Sequence, residues 1–240
     1  MNLNPIAVIQ WREMKSIDQV LLLVSILCGV SYLLAPFLFA AESKTYWPLN
    51  AAIKGLAVSS LAAIAFRLVR GRGIVLLTTA LLFSSLGDIF LALRNDNYFV
   101  FGLLSFLVAH LLFIALWVLH WDTPLETNGR QKILVLTLLL FLAAMLWWML
   151  PVPGLSVPVA IYMCVLTTMV ITAALADFKS KWVVIGAILF LLSDMLIALS
   201  TFKDVVGGKL AGVLIWSTYY LAQYLIAVGF LAEQRRQESW

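Results

Sequence analysis

The chain has 240 residues, of which 63% are hydrophobic and 12% are charged, and its mean hydropathy is +1.02. Soluble globular domains are about 45–50% apolar and about 25% charged, so this composition excludes a soluble domain, a disordered chain and a disulfide-stapled secreted module. We attribute the formal net charge of +4 to orientation in a membrane and expect no nucleic-acid partner.

Eight runs of about 20 largely apolar residues follow one another along the chain, and each is long enough to cross a bilayer as a helix. Glycine-, proline- and asparagine-containing breaks separate the runs, and the connections are short. The sequence therefore predicts an all-α, polytopic membrane protein with a single integral membrane domain over residues 1–240. The predicted spans are 19–40, 49–69, 74–93, 98–119, 132–150, 156–176, 182–200 and 210–231.

Lysine and arginine are unevenly distributed between the two sides of the predicted bundle. With a cytoplasmic N-terminus, eleven of the 16 basic residues fall on the inner side and five on the outer side. Basic residues concentrate on the cytoplasmic side of membrane proteins, so we expect both termini to be cytoplasmic. An even number of spans agrees with this orientation.

A short internal similarity links the third and seventh spans. Residues 87–93 read GDIFLAL and residues 193–199 read SDMLIAL. In the following spans Gly102 stands eight residues before His110, and Gly212 stands eight residues before Tyr220. The offset of four spans preserves direction across the membrane and predicts a parallel 4+4 repeat, a symmetry known among membrane proteins.

Several polar side chains interrupt the apolar runs, and an ionisable residue inside a span is a functional candidate because burying it is costly. Under the predicted orientation they all lie in the outer half of the spans or at mid-depth, which indicates a cavity towards the outer side. Each also has a structural interpretation. Lys54 could pair with Asp88 or reach the surface, and Asp194 and Gln223 could form hydrogen bonds within the bundle. His110 could be a packing residue, and the tyrosines could be packing or interfacial residues. The candidates are Lys54, Asp88, His110, Asp194, Tyr219, Tyr220 and Gln223.

Asp88 and Asp194 are the sharpest of these candidates. Two nearby carboxyls in a low dielectric cannot both ionise cheaply, so one can donate a proton while the other acts as a base. This is the chemistry of acid–base hydrolysis through an oxocarbenium intermediate. The two histidines, His110 and His120, lie about 15 Å apart along one helix and cannot share an ion. A metal site built from Asp88, Asp194 and His110 stays open but lacks a recognisable ligand spacing, so we expect no metal and no cofactor.

The segments that contain these residues, in this order, resemble the YhhN family, bacterial relatives of the animal lysoplasmalogenases. The resemblance extends over nearly the whole chain. It rests on the Lys54 region, Leu86-Gly87-Asp88, Gly102 to His110, the run from Phe190 to Asp194, and the run from Tyr219 to Tyr224. It implies cleavage of the vinyl ether bond of a lysoplasmalogen, which yields a fatty aldehyde and a glycerophospho-headgroup.

On that resemblance we expect Asp88 and Asp194 to be the acid and the base, in either order. Lys54 is expected to bind the phosphate or to tune an aspartate, Tyr219, Tyr220 and Gln223 to position water or glycerol oxygens, and His110 to support them. The expected partners are a lysophospholipid substrate and the lipid bilayer, and the expected location is the bacterial inner membrane with the site towards its outer half.

Two other functions fit the same residues. Intramembrane Asp, Lys and His also form proton relays, so a proton-coupled transporter of a small molecule or lipid is one alternative. A non-catalytic lysolipid-binding membrane protein is the other. An enzyme releases aldehyde in detergent, whereas a transporter needs a sealed membrane and a binding protein leaves its lipid intact.

Overall fold

The computed structural model describes residues 14–38, 46–69, 71–93, 96–121, 127–178, 180–203, 205 and 207–238. Within these residues the chain forms eight α-helices, and all eight are long and apolar enough to span a membrane. They are α1 Ser16–Leu38, α2 Tyr46–Leu68, α3 Gly73–Ala92, α4 Asp96–Val118, α5 Gly129–Met149, α6 Ser156–Leu175, α7 Trp182–Phe202 and α8 Gly208–Glu238.

Each predicted span falls on one helix, which confirms the all-α polytopic fold. The bounds differ by three residues or fewer, except that α8 continues to Glu238 where the apolar run ends at residue 231. Residues 232–238 are rich in alanine, glutamate, glutamine and arginine, which favour helix without being apolar. Residues 39 and 40 of the first predicted span lie outside the described residues.

Consecutive helices are neighbours in the bundle, with one exception: α4 packs against α6 rather than α5. The most extensive contacts between the first four and last four helices are those of α4 with α6, α2 with α8, and α1 with α8. Shifting every label by four helices converts the α2–α8 contact into the α4–α6 contact. The same shift would convert the α1–α8 contact into one between α4 and α5, whereas α4 packs against α6 instead. The parallel 4+4 repeat therefore stays a prediction.

Small residues and hydroxyl groups bring the helices close, as is common where both lipid and protein are apolar. Ser25 of α1 donates to the Ala57 carbonyl of α2 at 2.6 Å, and Ser85 of α3 donates to the Gly55 carbonyl at 2.9 Å. Gly186 on α7 faces α8 so closely that a Cβ there would lie 2.9 Å from the Ala222 carbonyl oxygen.

Helix α5 lies at the edge of the bundle, with Leu138 and Met149 as its buried residues. A capping box starts it: the Asn128 side chain accepts from the Gln131 amide and the Gln131 side chain accepts from the Asn128 amide, each at 3.0 Å. Gly154, with φ at +72°, forms part of the turn to α6. Because α5 does not pack against α4, a space remains between the α5–α6 pair on one side and α3, α4 and α7 on the other.

Candidate active site

Asp88 lies one turn before the end of α3 and is 2% exposed. Tyr219 of α8 donates its hydroxyl to Asp88 Oδ2 at 2.6 Å and also lies 3.4 Å from the Ser84 carbonyl oxygen. The neighbouring Gly87 allows α4 to approach, because the Phe106 ring occupies the space that a Cβ would fill. Asp88 is therefore fixed by a side chain from the other half of the bundle.

Lys54 of α2 is buried on the side of Asp88 that faces α1. Its ammonium lies 4.7 Å from the ring centroid of Tyr32 and 4.9 Å from that of Trp216, a cation–π arrangement. Among the described residues it forms no salt bridge, but it is close enough to Asp88 to interact electrostatically. Lys54 and Asp88 therefore do not form a direct ion pair.

Asp194 lies at mid-depth in α7 and is buried. Tyr162 of α6 donates its hydroxyl to Asp194 Oδ2, and His110 Nε2 of α4 lies 3.8 Å from the same oxygen. His110 is fully buried, and both of its ring nitrogens lack a hydrogen-bond partner within the described part of the chain. Its ring meets the Tyr162 ring edge-on, with centroids 5.3 Å apart.

Two phenylalanines join the Asp88 and Asp194 groups into one cluster. Phe106 lies edge-on to Tyr219, with centroids 5.6 Å apart, and Phe190 lies 5.3 Å from Tyr219 and 4.7 Å from His110. Each carboxyl hydrogen-bonds its own tyrosine. The two carboxyls therefore belong to one cluster that aromatic rings hold together, without a direct contact between them.

The described structure contains a partly open cavity beside Asp194, whose empty space of ≈ 780 Å³ includes open solvent. Its lining comes from the end of α3, the start of α4, the end of α5, the first half of α6 and the second half of α7. Asp194, Tyr162 and Thr167 are its polar lining residues, and Asp88 is not part of the lining. The remaining walls are apolar and include Phe99, Phe106, Met145, Met149, Met163, Met195 and Phe202.

The other two predicted residues lie on α8 in different surroundings. Gln223 is fully buried next to Tyr219, but its amide makes no hydrogen bond to a described residue. Tyr220 points away from the aspartates: its hydroxyl is 2.9 Å from Ser25 Oγ, and its ring stacks on Trp216. Gln223 is thus a neighbour of Tyr219, the residue that binds Asp88, and Tyr220 lies at the contact between α8 and α1.

Tyr162 is the site residue that the sequence analysis missed. It stands alone in the apolar run Ala160-Ile161-Tyr162-Met163, so no neighbouring motif marks it. The available signal is depth, because Tyr162 lies about 9 Å and Asp194 about 12 Å from the helix ends at the same side of the bundle, at 1.5 Å per residue. Depth matching would have placed the two side chains at one level.

The arrangement provides a carboxyl group at the wall of an apolar cavity and a second carboxyl behind it. Such a pair can move protons to and from an apolar substrate whose polar atoms reach Asp194. Among the described residues, no three His, Cys, Asp or Glu side chains form a group that could bind a metal ion.

The chain matches a known family and several named relatives. It is 37% identical to the lysoplasmalogenases of Mycobacterium bovis and Mycobacterium tuberculosis over 158 residues, which are 64% of this chain and 59% of each relative. It is 32% identical to lysoplasmalogenase TMEM86A of Homo sapiens over 173 residues, 67% of each chain. The chain thus spans less than two thirds of the length of its mycobacterial relatives. No solved structure matches.

The family match covers residues 49–230, which include seven of the eight helices and every residue of the two aspartate groups. A match over that much of the chain, on an integral membrane protein with eight spans, shows that the chain belongs to the YhhN family.

Proposed function

We propose that this protein is an intramembrane hydrolase that cleaves the vinyl ether bond of a lysoplasmalogen to a fatty aldehyde and a glycerophospho-headgroup. The observation that carries the proposal is the apolar cavity with Asp194 in its wall. The relatives are all named lysoplasmalogenases, and we take the vinyl ether as the bond to be cleaved from those names.

The cavity suits the hydrocarbon part of such a lipid. Apolar walls such as Met145, Met163 and Phe202 give the chain surroundings like those of the bilayer it comes from. A lysolipid has a single hydrocarbon chain, and the apolar cavity beside Asp194 is proposed to hold that chain. The ether oxygen and double bond then lie where Asp194 and Tyr162 interrupt the apolar wall.

The first step is proton transfer from a carboxyl to the vinyl carbon that does not bear oxygen. The π electron pair forms the new C–H bond, the O–H pair stays on the carboxylate, and an oxocarbenium ion results. Water then adds to that cation while a carboxylate accepts its proton, which gives a hemiacetal. Collapse of the hemiacetal breaks the bond to the glycerol oxygen, which takes up the proton, and releases the aldehyde.

Asp194 and Asp88 are the proposed acid and base. Asp194 is the carboxyl in the cavity wall, and Asp88 is within electrostatic range behind Phe106. Lys54, Tyr219 and Gln223 surround Asp88 and would keep it oriented, and His110 would do the same for Asp194. Tyr220, proposed as a substrate contact, has the least support because its hydroxyl is taken up by Ser25.

The proposed location is the outer half of a bacterial inner membrane, with both termini cytoplasmic. The cavity lies at the helix ends that adjoin the α3–α4, α5–α6 and α7–α8 connections. The distribution of lysine and arginine assigns those connections to the outer side.

Aldehyde release from a 1-alkenyl lysophospholipid by purified protein in detergent tests the proposal. We expect turnover by the wild type and at least a 100-fold loss in Asp194→Asn and Asp88→Asn. Asp18→Asn is the matched control, because Asp18 is another buried carboxyl but pairs with Arg67 at 2.5 Å, at the opposite end of the bundle. Wild-type protein that binds the lipid without releasing aldehyde would refute the proposed function.

A further inference from the structure

Tyr162 and Asp194 interrupt the apolar cavity wall from two facing helices. Tyr162 is the seventh residue of α6 and is 8% exposed. Its hydroxyl donates to Asp194, and both side chains line the cavity. A tyrosine hydroxyl buried in a span needs a polar partner, and here the partner is the carboxyl proposed to react.

The two oxygens of the Asp194 carboxyl have different surroundings. Oδ2 accepts the Tyr162 hydrogen bond and is the oxygen nearest His110 Nε2, at 3.8 Å. No described residue hydrogen-bonds Oδ1. Tyr162 therefore hydrogen-bonds Oδ2, and Oδ1 is left for a substrate or water in the cavity.

This difference determines where an acid proton resides. A protonated carboxyl has one hydroxyl oxygen and one carbonyl oxygen, and the carbonyl oxygen is the better acceptor. Because Tyr162 donates to Oδ2, it favours Oδ2 as the carbonyl oxygen and Oδ1 as the hydroxyl oxygen. When the proton has left, the same hydrogen bond stabilises the carboxylate, and hydrogen bonds to ions are stronger than those to neutral groups.

We propose that Tyr162 is a positioning residue for vinyl ether hydrolysis: it fixes the Asp194 carboxyl through Oδ2, so that the acid proton on Oδ1 is available to the substrate. The proposal rests on the function proposed above. Tyr162 transfers no proton itself. The transfer from Asp194 Oδ1 to the vinyl carbon breaks one O–H bond and forms one C–H bond, and water later restores the proton balance.

Substitution of Tyr162 by phenylalanine removes the hydroxyl and keeps the ring that packs on His110 and lines the cavity. We expect kcat on a 1-alkenyl lysophospholipid to fall about 10- to 100-fold, the loss typical of one hydrogen bond to a charged group. We expect KM to stay within about twofold, because the apolar cavity wall is unchanged. Binding of a saturated 1-alkyl lysophospholipid, which has no double bond to protonate, is also expected to be unchanged.

Tyr98→Phe is the matched control, because Tyr98 loses the same hydroxyl on an exposed part of α4 where its ring stacks on Phe90. We expect wild-type kcat from it. A second variant with 3-fluorotyrosine at position 162 keeps the ring and a hydroxyl, and its more acidic hydroxyl should change kcat at constant KM even if the phenylalanine variant does not fold.

The outcomes separate this inference from the proposed function. Aldehyde release by the wild type with full kcat in folded Tyr162→Phe, or with unchanged kcat in the fluorotyrosine variant, would overturn the role of Tyr162 alone. A Tyr162→Phe variant that loses binding of the 1-alkyl lipid in parallel with kcat would show a structural role instead. No aldehyde from the wild type would remove the proposed function, and this inference with it.

Discussion

The hydrogen bond from Tyr219 to Asp88 connects the two halves of the bundle at the polar cluster. Because it is 2.6 Å long and buried, its loss should cost about 1.5–3 kcal/mol of unfolding free energy, the range for hydrogen bonds to charged groups. We predict that Tyr219→Phe lowers the stability of the detergent-solubilised protein by that amount, measured by thermal unfolding.

A double-mutant cycle with Asp88→Ala distinguishes this bond from general packing, because alanine, unlike asparagine, leaves no acceptor for the Tyr219 hydroxyl. The effects of the two substitutions should be less than additive, because the second removes a partner that has already gone. Fully additive effects would show that the Tyr219 hydroxyl stabilises the protein through another partner, such as the Ser84 carbonyl oxygen 3.4 Å away, and not through Asp88.

The position of Lys54 favours a role in tuning Asp88 over one in binding phosphate. Its ammonium lies between the Tyr32 and Trp216 rings and does not line the cavity. We predict that Lys54→Met, which keeps an apolar stem of similar length, lowers kcat for aldehyde release by about tenfold or more and leaves KM nearly constant. An increase in KM at constant kcat would instead identify Lys54 as a substrate contact.

Most residues of the polar cluster could be predicted one by one from the sequence, because a polar or ionisable residue within a span differs clearly from its apolar neighbours. Asp88, Asp194, His110, Lys54 and Gln223 were all identified in this way, and the structure places them within one cluster. Sequence could not assign Tyr162 or separate Tyr219 from Tyr220, since the face that a tyrosine occupies depends on helix rotation. Uniformly apolar helices carry almost no periodic signal for that rotation.

The contact between α7 and α8 depends on the absence of a side chain at Gly186. A Cβ at this position would lie 2.9 Å from the Ala222 carbonyl oxygen and 3.0 Å from the Ile226 amide nitrogen, both backbone atoms that cannot move aside separately. We predict that Gly186→Ala lowers the unfolding free energy by about 1–3 kcal/mol, the usual cost of overpacking. The same thermal unfolding assay measures it.

Gly212→Ala is the control on the partner helix, because a Cβ at Gly212 meets nothing within 4 Å. Replacing an exposed helical glycine by alanine should leave stability unchanged or raise it by about 0.5–1 kcal/mol. Equal destabilisation by the two substitutions would mean that the α7–α8 contact is not tight at Gly186.

The helices themselves could be predicted within three residues at nearly every boundary because hydrocarbon thickness limits their length. Their packing could not be predicted in the same way. The contact of α4 with α6 and the peripheral position of α5 both depend on which apolar surfaces fit together, and apolar composition does not distinguish them. The space that forms the cavity results from that packing.

The orientation of the whole bundle can be tested by labelling its connections. In a variant lacking Cys28 and Cys164, we predict that Pro153→Cys, in the exposed α5–α6 connection, reacts with a membrane-impermeant maleimide on intact cells. Lys181→Cys, exposed between α6 and α7, should react only after the cells are opened. The reverse pattern would place the cavity in the inner half of the membrane and contradict the orientation expected from the basic residues.

Hydrolysis in D₂O tests most directly whether the bundle performs acid-catalysed cleavage of a vinyl ether. Purified wild-type protein would be given a 1-alkenyl lysophospholipid in detergent, and the released aldehyde would be analysed at once by mass spectrometry. We predict one deuterium on carbon 2 of the aldehyde, because a carboxyl delivers the proton to carbon, and no such product from Asp194→Asn. Aldehyde without deuterium at carbon 2, or no aldehyde at all from the wild type, would contradict proton transfer to carbon as the reaction of this membrane protein.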